Sequence, residues 1–388
     1  MSRDLPRLPV AQPALDGNEK AYVNECLDTT WISSAGRFIG EFEAAFAAYC
    51  GTKHAIAANN GTTALHLALI VAGIQAGDEV IVPSFSFVAT ANAPTYVGAR
   101  PIFIDVDPGT GCVTADGVVA AITERTRAVI VVDQGGVPVD LDSIRDVCDP
   151  LGIVVIEDAA CGAGSTYKGR PVGAGAVLAA WSFHPRKLLT TGEGGMLTTS
   201  NAEWAGRARR LREHAMSVSA TDRQASVLAP AEEYLEIGFN YRMTDMQAAV
   251  GIVQLGRLPE IVRRRREIAE RYTAALAGVD GLRPVRDPEW GTSNYQSYWV
   301  EVGEDYPLDR ETLLLHLAEA GISARRGIMS SHLQPAYGGS PSQRVPLPVS
   351  ERLTGTTLIL PIYHQLEAAD QATVIDALLA PLTVVAHG

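Results

Sequence analysis

Lysine is ordinarily a solvated residue, yet Lys187 stands in a setting that argues against solvation. In WSFHPRKLLTTGEGGM an apolar strand pattern precedes it, Pro185 tightens the turn, and Gly192, Gly194 and Gly195 follow. Taking an ammonium out of water favours its neutral form, and a neutral amine is what condenses with a carbonyl carbon to give an imine. Two other segments offer complementary chemistry. Asn60-Gly61-Thr62-Thr63 opens the helical pattern ALHLALIVAG; a helix start with free N–H groups, small residues and two hydroxyls suits a phosphate. The plainer reading of Thr62 or Thr63 is a helix cap. Asp158 closes the strand-like IVVIED and is followed by Ala159 and Ala160. Its carboxylate can reach a ligand across the end of a sheet, where a cationic ring nitrogen would hold it ionised. Judged alone it is equally a helix cap or a member of a buried ion pair.

A phosphate cradle, an acid for a pyridinium nitrogen and an imine-forming lysine are what a protein must supply to pyridoxal 5'-phosphate. Phe87, in PSFSF, is placed to stack on such a ring or to be a plain core aromatic.

Between about residues 38 and 200, helix-period and strand-like segments alternate. The strand candidates are VIVPSFSF, PIFIDVD, AVIVVDQ, IVVIEDA, LAAWSF and GMLTTS, with helical patterns such as TALHLALIVAG and DLDSIRDVCDPLG between them. Runs rich in Val and Ile without strict alternation suit strands buried on both faces. The expected fold class is therefore α/β: a mostly parallel sheet flanked by helices, binding its ligand at the carboxyl ends of the strands. NYRMTDMQAAVGIVQLGRL predicts a helix, and Leu258, Ile261, Ile268, Tyr272 and Leu276 continue an amphipathic helix out of that domain. The boundary is set there: residues 1–258 hold the N-terminal arm and large domain, residues 259–388 a smaller α+β domain. The latter has a strand (YQSYWVEV), a helix (RETLLLHLAEAG), a Gly/Ser/Pro-rich loop around 327–348 and a last helix from Ala368.

The 388 residues suit two or three domains of ordinary globular composition, 47% hydrophobic and 20% charged. A net charge of −12 argues against general affinity for nucleic acid or anionic lipid. The basic run Arg263–Arg266, followed by Glu267 and Glu270, reads as a solvated helix face with local ion pairs. Five scattered cysteines without a CxxC pair predict neither a disulfide framework nor a metal site. The start MSRDLPRLPVAQP has no apolar core for a secretory signal, and no apolar run approaches the ~20 residues of a bilayer span. A cytoplasmic protein is expected. Dehydrogenase and nucleotide-hydrolase motifs are missing: Gly173-Ala174-Gly175 has no third glycine at Leu178, and no G-x-x-x-x-G-K-[ST] occurs.

With FIGEFEAAFAAYCGTKHAIAANNGTTALHLAL, GDEVIVPSFSFVATANA, VIEDAACGAG, SFHPRKLLTTGEGGM, GFNYRMTDMQAAVGIVQL and the late LPIY in this order, the chain resembles the DegT/DnrJ/EryC1/StrS sugar aminotransferases nearly end to end. The resemblance implies a fold-type-I pyridoxal-phosphate enzyme. Lys187 would carry the cofactor as a Schiff base and move a proton between substrate and cofactor carbons. Asp158 would pair with the ring nitrogen, Phe87 would stack on the ring, and Thr62, Thr63 and Ser182 would hold the phosphate beside Gly61. Asn240, in GFNYR, would reach the phosphate in the neighbouring subunit of a homodimer, or else cap the helix beginning near Thr244. Glutamate or glutamine would donate the amino group, leaving pyridoxamine phosphate, which would pass it to a keto-sugar in ping-pong fashion. The acceptor favoured is a nucleotide-linked 4-keto-6-deoxy hexose or a 3-keto isomer. Trp31, in the loop to Arg37, with Arg325 and His332 are candidate substrate contacts, His332 also reading as a structural loop histidine.

Two segments depart from the family pattern. Cys161 stands where glutamine or histidine is usual beside the ring hydroxyl, and VVDQGGVPVDL replaces a His-Leu-Tyr-Gly type of sequence. The alternatives are a keto-cyclitol aminotransferase and a non-catalytic regulatory relative that keeps the fold. A dehydratase branch of the family has histidine in place of the lysine, and Lys187 speaks against it.

Overall fold

The computed structural model describes residues 8–218, 231–338 and 343–385, so Pro6 of the arm and residues 339–342 of the late loop lie outside it. The helices of the first half are α1 (Glu19–Asp28), α2 (Arg37–Cys50), α3 (Gly61–Val71), α4 (Val88–Tyr96), α5 (Ala115–Ala121), α6 (Leu141–Cys148) and α7 (Ala202–Leu211). Interleaved with them are β1 (His54–Ala58), β2 (Glu79–Pro83), β3 (Arg100–Ile104), β4 (Thr126–Val132), β5 (Val154–Asp158), β8 (Leu178–Ser182) and β9 (Gly195–Thr199). A small ribbon, β6 (Thr166–Tyr167) and β7 (Arg170–Pro171), lies between β5 and β8.

The main sheet runs β1-β9-β8-β5-β4-β2-β3 and is parallel except where β9 pairs antiparallel with both β1 and β8. Its strands are buried on both faces, which explains their unbroken apolar sequences. Ile56, Val80, Val82, Ile130 and Ile156 pack under α3 and α7 on one side. Ala55, Ala57, Ala179 and Trp181 face α2 and the long helix on the other. The expected strand VIVPSFSF ends at Pro83, because Ser84 and Ser86 turn to bond the late loop: Ser84 Oγ meets His332 Nδ1 at 2.5 Å, and Ser331 Oγ donates to the Ser86 carbonyl at 3.2 Å.

α8 (Asp245–Ala275) is one continuous helix of 31 residues that contains Pro259, so the segment boundary expected near 258 falls inside it. Thr244 and Gln247 close its start with a capping box. Beyond it come β10 (Leu282–Pro284), β11 (Gly291–Thr292), β12 (Tyr298–Val302), α9 (Arg310–Glu319), β13 (Arg325–Arg326), α10 (Pro348–Thr356), β14 (Thr357–Leu360) and α11 (Ala368–Val385). The antiparallel sheet β10-β12-β14-β13 is the framework of this smaller unit, and β11 joins the β6–β7 ribbon. The N-terminal arm belongs with it by contact, since Leu8 bridges to Ile322 and Val10 accepts from Ile362 N–H at 3.2 Å. Among the described residues no helix is long and apolar enough to cross a membrane.

Candidate active site

The carboxyl ends of β5 and β8 and the start of α3 meet at one place. Asp158 is the last residue of β5 and is 5% exposed. Its Oδ2 accepts from Thr90 Oγ1 at 2.8 Å, and its Oδ1 from the Ala160 N–H at 3.3 Å. Burial raises the carboxyl above its ordinary range, while the Thr90 hydroxyl and the charge of Lys187 pull it back. A cation at this carboxylate would complete what Lys187 begins.

Lys187 follows β8 in a turn in which its own N–H bonds the His184 carbonyl at 2.8 Å. The side chain is half-buried, and Nζ lies 3.1 Å from Cys161 Sγ, three residues beyond Asp158. Thus the lysine meets the unusual cysteine beside the end of β5, near enough to the acid for its charge to act there. The turn is pinned from the smaller unit: Gln296 accepts from Leu188 N–H at 3.0 Å and donates to the Arg186 carbonyl at 2.5 Å. Asn294 likewise donates to the carbonyls of Cys161 and Ala163, each at 2.7 Å.

At the start of α3 the cap is neither threonine but Asn60, whose side chain accepts from Thr63 N–H at 2.9 Å. The Thr63 hydroxyl is engaged by Asn59 Oδ1 at 2.7 Å. The first-turn N–H groups of Gly61 and Thr62 have no intrahelical acceptor and remain for a ligand. Gly61 permits a close approach, because a Cβ there would stand 2.8 Å from the Ser182 Cβ. Gly61, Thr62, Thr63 and Ser182 are therefore gathered at the end of β8, as a phosphate site requires.

The remaining candidates are more scattered. Phe87 caps α4 and is 61% exposed, a ring face left open rather than a core aromatic. Trp31 is 43% exposed in its loop, and Arg325 is exposed on β13. His332 is 7% exposed, with Nδ1 on Ser84 and Nε2 3.3 Å from Glu351, so its imidazole is occupied in joining the late loop to β2. Asn240 is exposed, bridged through its backbone to Glu213.

Sequence reasoning missed three features. Thr90, behind Asp158, carries no signal beyond its place two residues into α4. Asp133, in the divergent VVDQGG, and Glu157 are fully enclosed, each with one oxygen unpartnered. Burial raises both carboxyls, and Asp133 also faces the charge of Glu157. Finally, the basic run is not the solvated face expected of it. Arg263 does pair with Glu267, but Arg265 is 5% exposed and donates to the carbonyls of Tyr295 and Gln296 at 3.0 and 2.9 Å. Arg266 donates to the Ser293 carbonyl at 2.6 Å and to Asp287 at 2.9 Å. The run stitches α8 to the segment that pins the lysine turn, because long guanidinium stems can be buried when carbonyls satisfy their N–H groups.

The family model described as the DegT/DnrJ/EryC1/StrS aminotransferase family matches residues 13–379. GDP-perosamine synthase of Caulobacter vibrioides is 44% identical over 380 residues, 97% of this chain and 98% of that protein. Among solved structures, the aminotransferase TlmJ of Streptoalloteichus hindustanus superposes with a TM-score of 0.89 at 38% identity, covering 98% of this chain and all of that one. DesV of S. venezuelae gives 0.88 at 34% identity, with 96% and 97% covered. The chain belongs to the DegT/DnrJ/EryC1/StrS aminotransferase family.

Proposed function

We propose that this aminotransferase binds pyridoxal 5'-phosphate through Lys187 and moves an amino group from glutamate or glutamine to a nucleotide-linked keto-hexose. The single observation that carries the reading is the placement of Lys187 Nζ, 3.1 Å from Cys161 Sγ and charge-coupled to the buried Asp158. The residues fit the cofactor. Asp158 is an enclosed carboxylate in want of a cation, and the open helix start beside Ser182 is a cradle that a side chain at Gly61 would obstruct. When bound, the cofactor supplies an aldehyde for the amine and an electron-poor ring that stabilises negative charge at the reacting carbon.

The protein's own part follows from charge and position. Asp158 keeps a proton on the ring nitrogen by remaining ionised, with Thr90 fixing its orientation. Gly61, Thr62 and Ser182 hold the phosphate through N–H and hydroxyl groups, while Thr63, whose N–H and hydroxyl are given to Asn60 and Asn59, fixes the helix start that presents them. Lys187, once its amine is free, takes a proton from the donor's α-carbon and returns it elsewhere, a general base and then a general acid. The donor leaves as a keto acid before the acceptor binds, its amino group retained on the enzyme between the two halves, which makes the kinetics ping-pong. The acceptor class rests on the GDP-perosamine synthase likeness, and a 4-keto-6-deoxy or 3-keto sugar on a nucleotide carrier is the substrate expected. We place the enzyme in the cytoplasm as a homodimer with shared sites.

The test is chemical. Purified protein is expected to be yellow, and borohydride followed by peptide mass mapping to place the reduced cofactor on Lys187. A Lys187→Ala protein that still forms the reducible adduct would overturn the assignment.

A further inference from the structure

The two departures from the family pattern, Cys161 and the segment of Asp133, fall at one place. Lys187 Nζ donates to Cys161 Sγ at 3.1 Å, and both side chains are half-buried, within reach of a small solute. Asp133, one residue past β4, donates its N–H to the Asp158 carbonyl at 3.3 Å, and its enclosed Oδ2 has no partner. That oxygen is aimed at the segment of the thiol, because a Cβ at Gly162 would stand 2.8 Å from it. A single short segment fixes thiol and amine together. Asn294 donates to the Cys161 carbonyl at 2.7 Å, and Gln296 bonds the Arg186 carbonyl and the Leu188 N–H on either side of the lysine. Sulfur and nitrogen are thus held at the separation, roughly 3–3.5 Å, from which fixed groups react. The other cysteines differ. Cys26, Cys50, Cys112 and Cys148 are buried, and burial raises each thiol, which keeps it protonated and inert.

We propose that a peroxide joins Cys161 to Lys187 through a reversible sulfur–nitrogen bond, which takes the amine out of service. In the first step sulfur attacks a peroxide oxygen. The O–O bond breaks, sulfur gives up two electrons and becomes a sulfenic acid, and the peroxide is reduced to water. The unpartnered oxygen of Asp133 offers the new, half-enclosed hydroxyl a polar neighbour. In the second step the amine lone pair attacks that sulfur. An S–N bond forms, the S–O bond breaks, and hydroxide leaves as water with a proton from the nitrogen. One hydrogen peroxide and two hydrogens of the protein thus become two waters. Sulfenic acids condense in this way with backbone nitrogen, and here an amine stands at contact distance. A dithiol reverses the sequence, returning thiol and amine and leaving as its own disulfide. The bond stands on geometry alone; its effect on turnover rests on the proposed role of Lys187, whose amine is protected while the cofactor holds it.

The experiment is intact mass spectrometry of the full chain after hydrogen peroxide, with excess pyridoxal 5'-phosphate present and after its removal with hydroxylamine and desalting. The stripped protein is expected to lose about 2 Da, the two hydrogens that leave in water. Peptide mapping is expected to join the peptide of Cys161 to that of Lys187, and dithiothreitol to restore the mass. Excess cofactor is expected to lower the yield of the bond several-fold. Lys187→Ala is expected to gain about 16 Da instead, a sulfenic acid that dimedone traps, and Cys161→Ser to give neither change. In the stripped wild-type protein, an unchanged mass, a lasting gain of oxygen on Cys161, or a disulfide from Cys161 to Cys112 overturns the proposal. Equal yield with and without cofactor leaves the bond standing and overturns the seat of the cofactor on Lys187.

Discussion

At the scale of single residues, the site depends on a carboxylate that its surroundings tend to neutralise. Burial favours the protonated form of Asp158, and two local groups oppose it, the Thr90 hydroxyl at 2.8 Å and the Lys187 charge. Because only the charged form could hold a ring cation in the role proposed for Asp158, each opposing group becomes a test of that role. Asp158→Asn, which keeps the shape and removes the charge, is expected to retain some cofactor and lose at least a hundredfold in turnover; activity within a few-fold of wild type would refute the ring-nitrogen role. Thr90→Val is the subtler test. It removes a donor that stabilises the carboxylate, so the folded-state pKa of Asp158 rises further. The acidic limb of the kcat/KM profile should then move to higher pH, with activity recovered as the medium is made more alkaline. A limb that stays in place would show Thr90 to be mere packing. The meeting of Lys187 with the end of β5 that carries Asp158 was legible in the sequence because each residue type stood in a telling context. Thr90 was not, since a hydroxyl in a helix has the same local pattern whether it faces solvent or an acid.

At the scale of elements, the lysine turn is held by a relay across the chain. Arg265 on α8 donates to the carbonyls of Tyr295 and Gln296, and the Gln296 side chain in turn clasps Arg186 and Leu188 on either side of Lys187. Replacing Arg265 with methionine fills similar volume and leaves two enclosed carbonyls without donors. The expected cost is about 2–4 kcal/mol of stability, measured by denaturant unfolding, with kcat lowered more than KM because the amine loses its fixed position. Wild-type stability in that variant would remove Arg265 from the relay. The α/β alternation, the strand cores and the amphipathic part of α8 were readable because burial on both sheet faces leaves continuous apolar runs. The tertiary use of Arg263–Arg266 was not readable. Charge pattern alone cannot separate an arginine that pairs with Glu267 in solvent from one whose stem is enclosed by a crossing segment. The end of β2 was misjudged for a related reason: Ser84 and Ser86 alternate with phenylalanines like a strand, and only contact with a loop some 245 residues away draws them off.

At the scale of the whole molecule, one surface of the single chain is unlike the rest. Ile237 is 89% exposed, with Tyr234 at 63% and Leu235 at 57%, and all three lead to Asn240. The segment is nonetheless held firmly from behind. Phe239 N–H donates to Leu211 at 2.7 Å, Tyr241 N–H to Arg212 at 3.0 Å, and Tyr241 accepts from Asn59 N–H at 2.9 Å. Gly238 makes this possible, because a Cβ there would fall 2.2 Å from the Ala215 nitrogen. In the homodimer proposed above, this apolar strip is the surface expected to be covered by the second copy, with Asn240 directed to the partner's phosphate site. Subunit mixing tests this directly. Lys187→Ala and Asn240→Ala proteins are each expected to be poorly active, the second because the cofactor escapes more readily on dialysis. If Asn240 serves the neighbouring subunit, a mixed dimer collects both defects in one site and leaves the other site whole. Refolding equal amounts together should then restore about a quarter of wild-type activity, as random pairing of a two-fold dimer requires. If Asn240 serves its own subunit, each site of a mixed dimer carries one defect and mixing restores nothing. Recovery without dimers in sedimentation would be equally fatal, since a lone chain has no second site to complete.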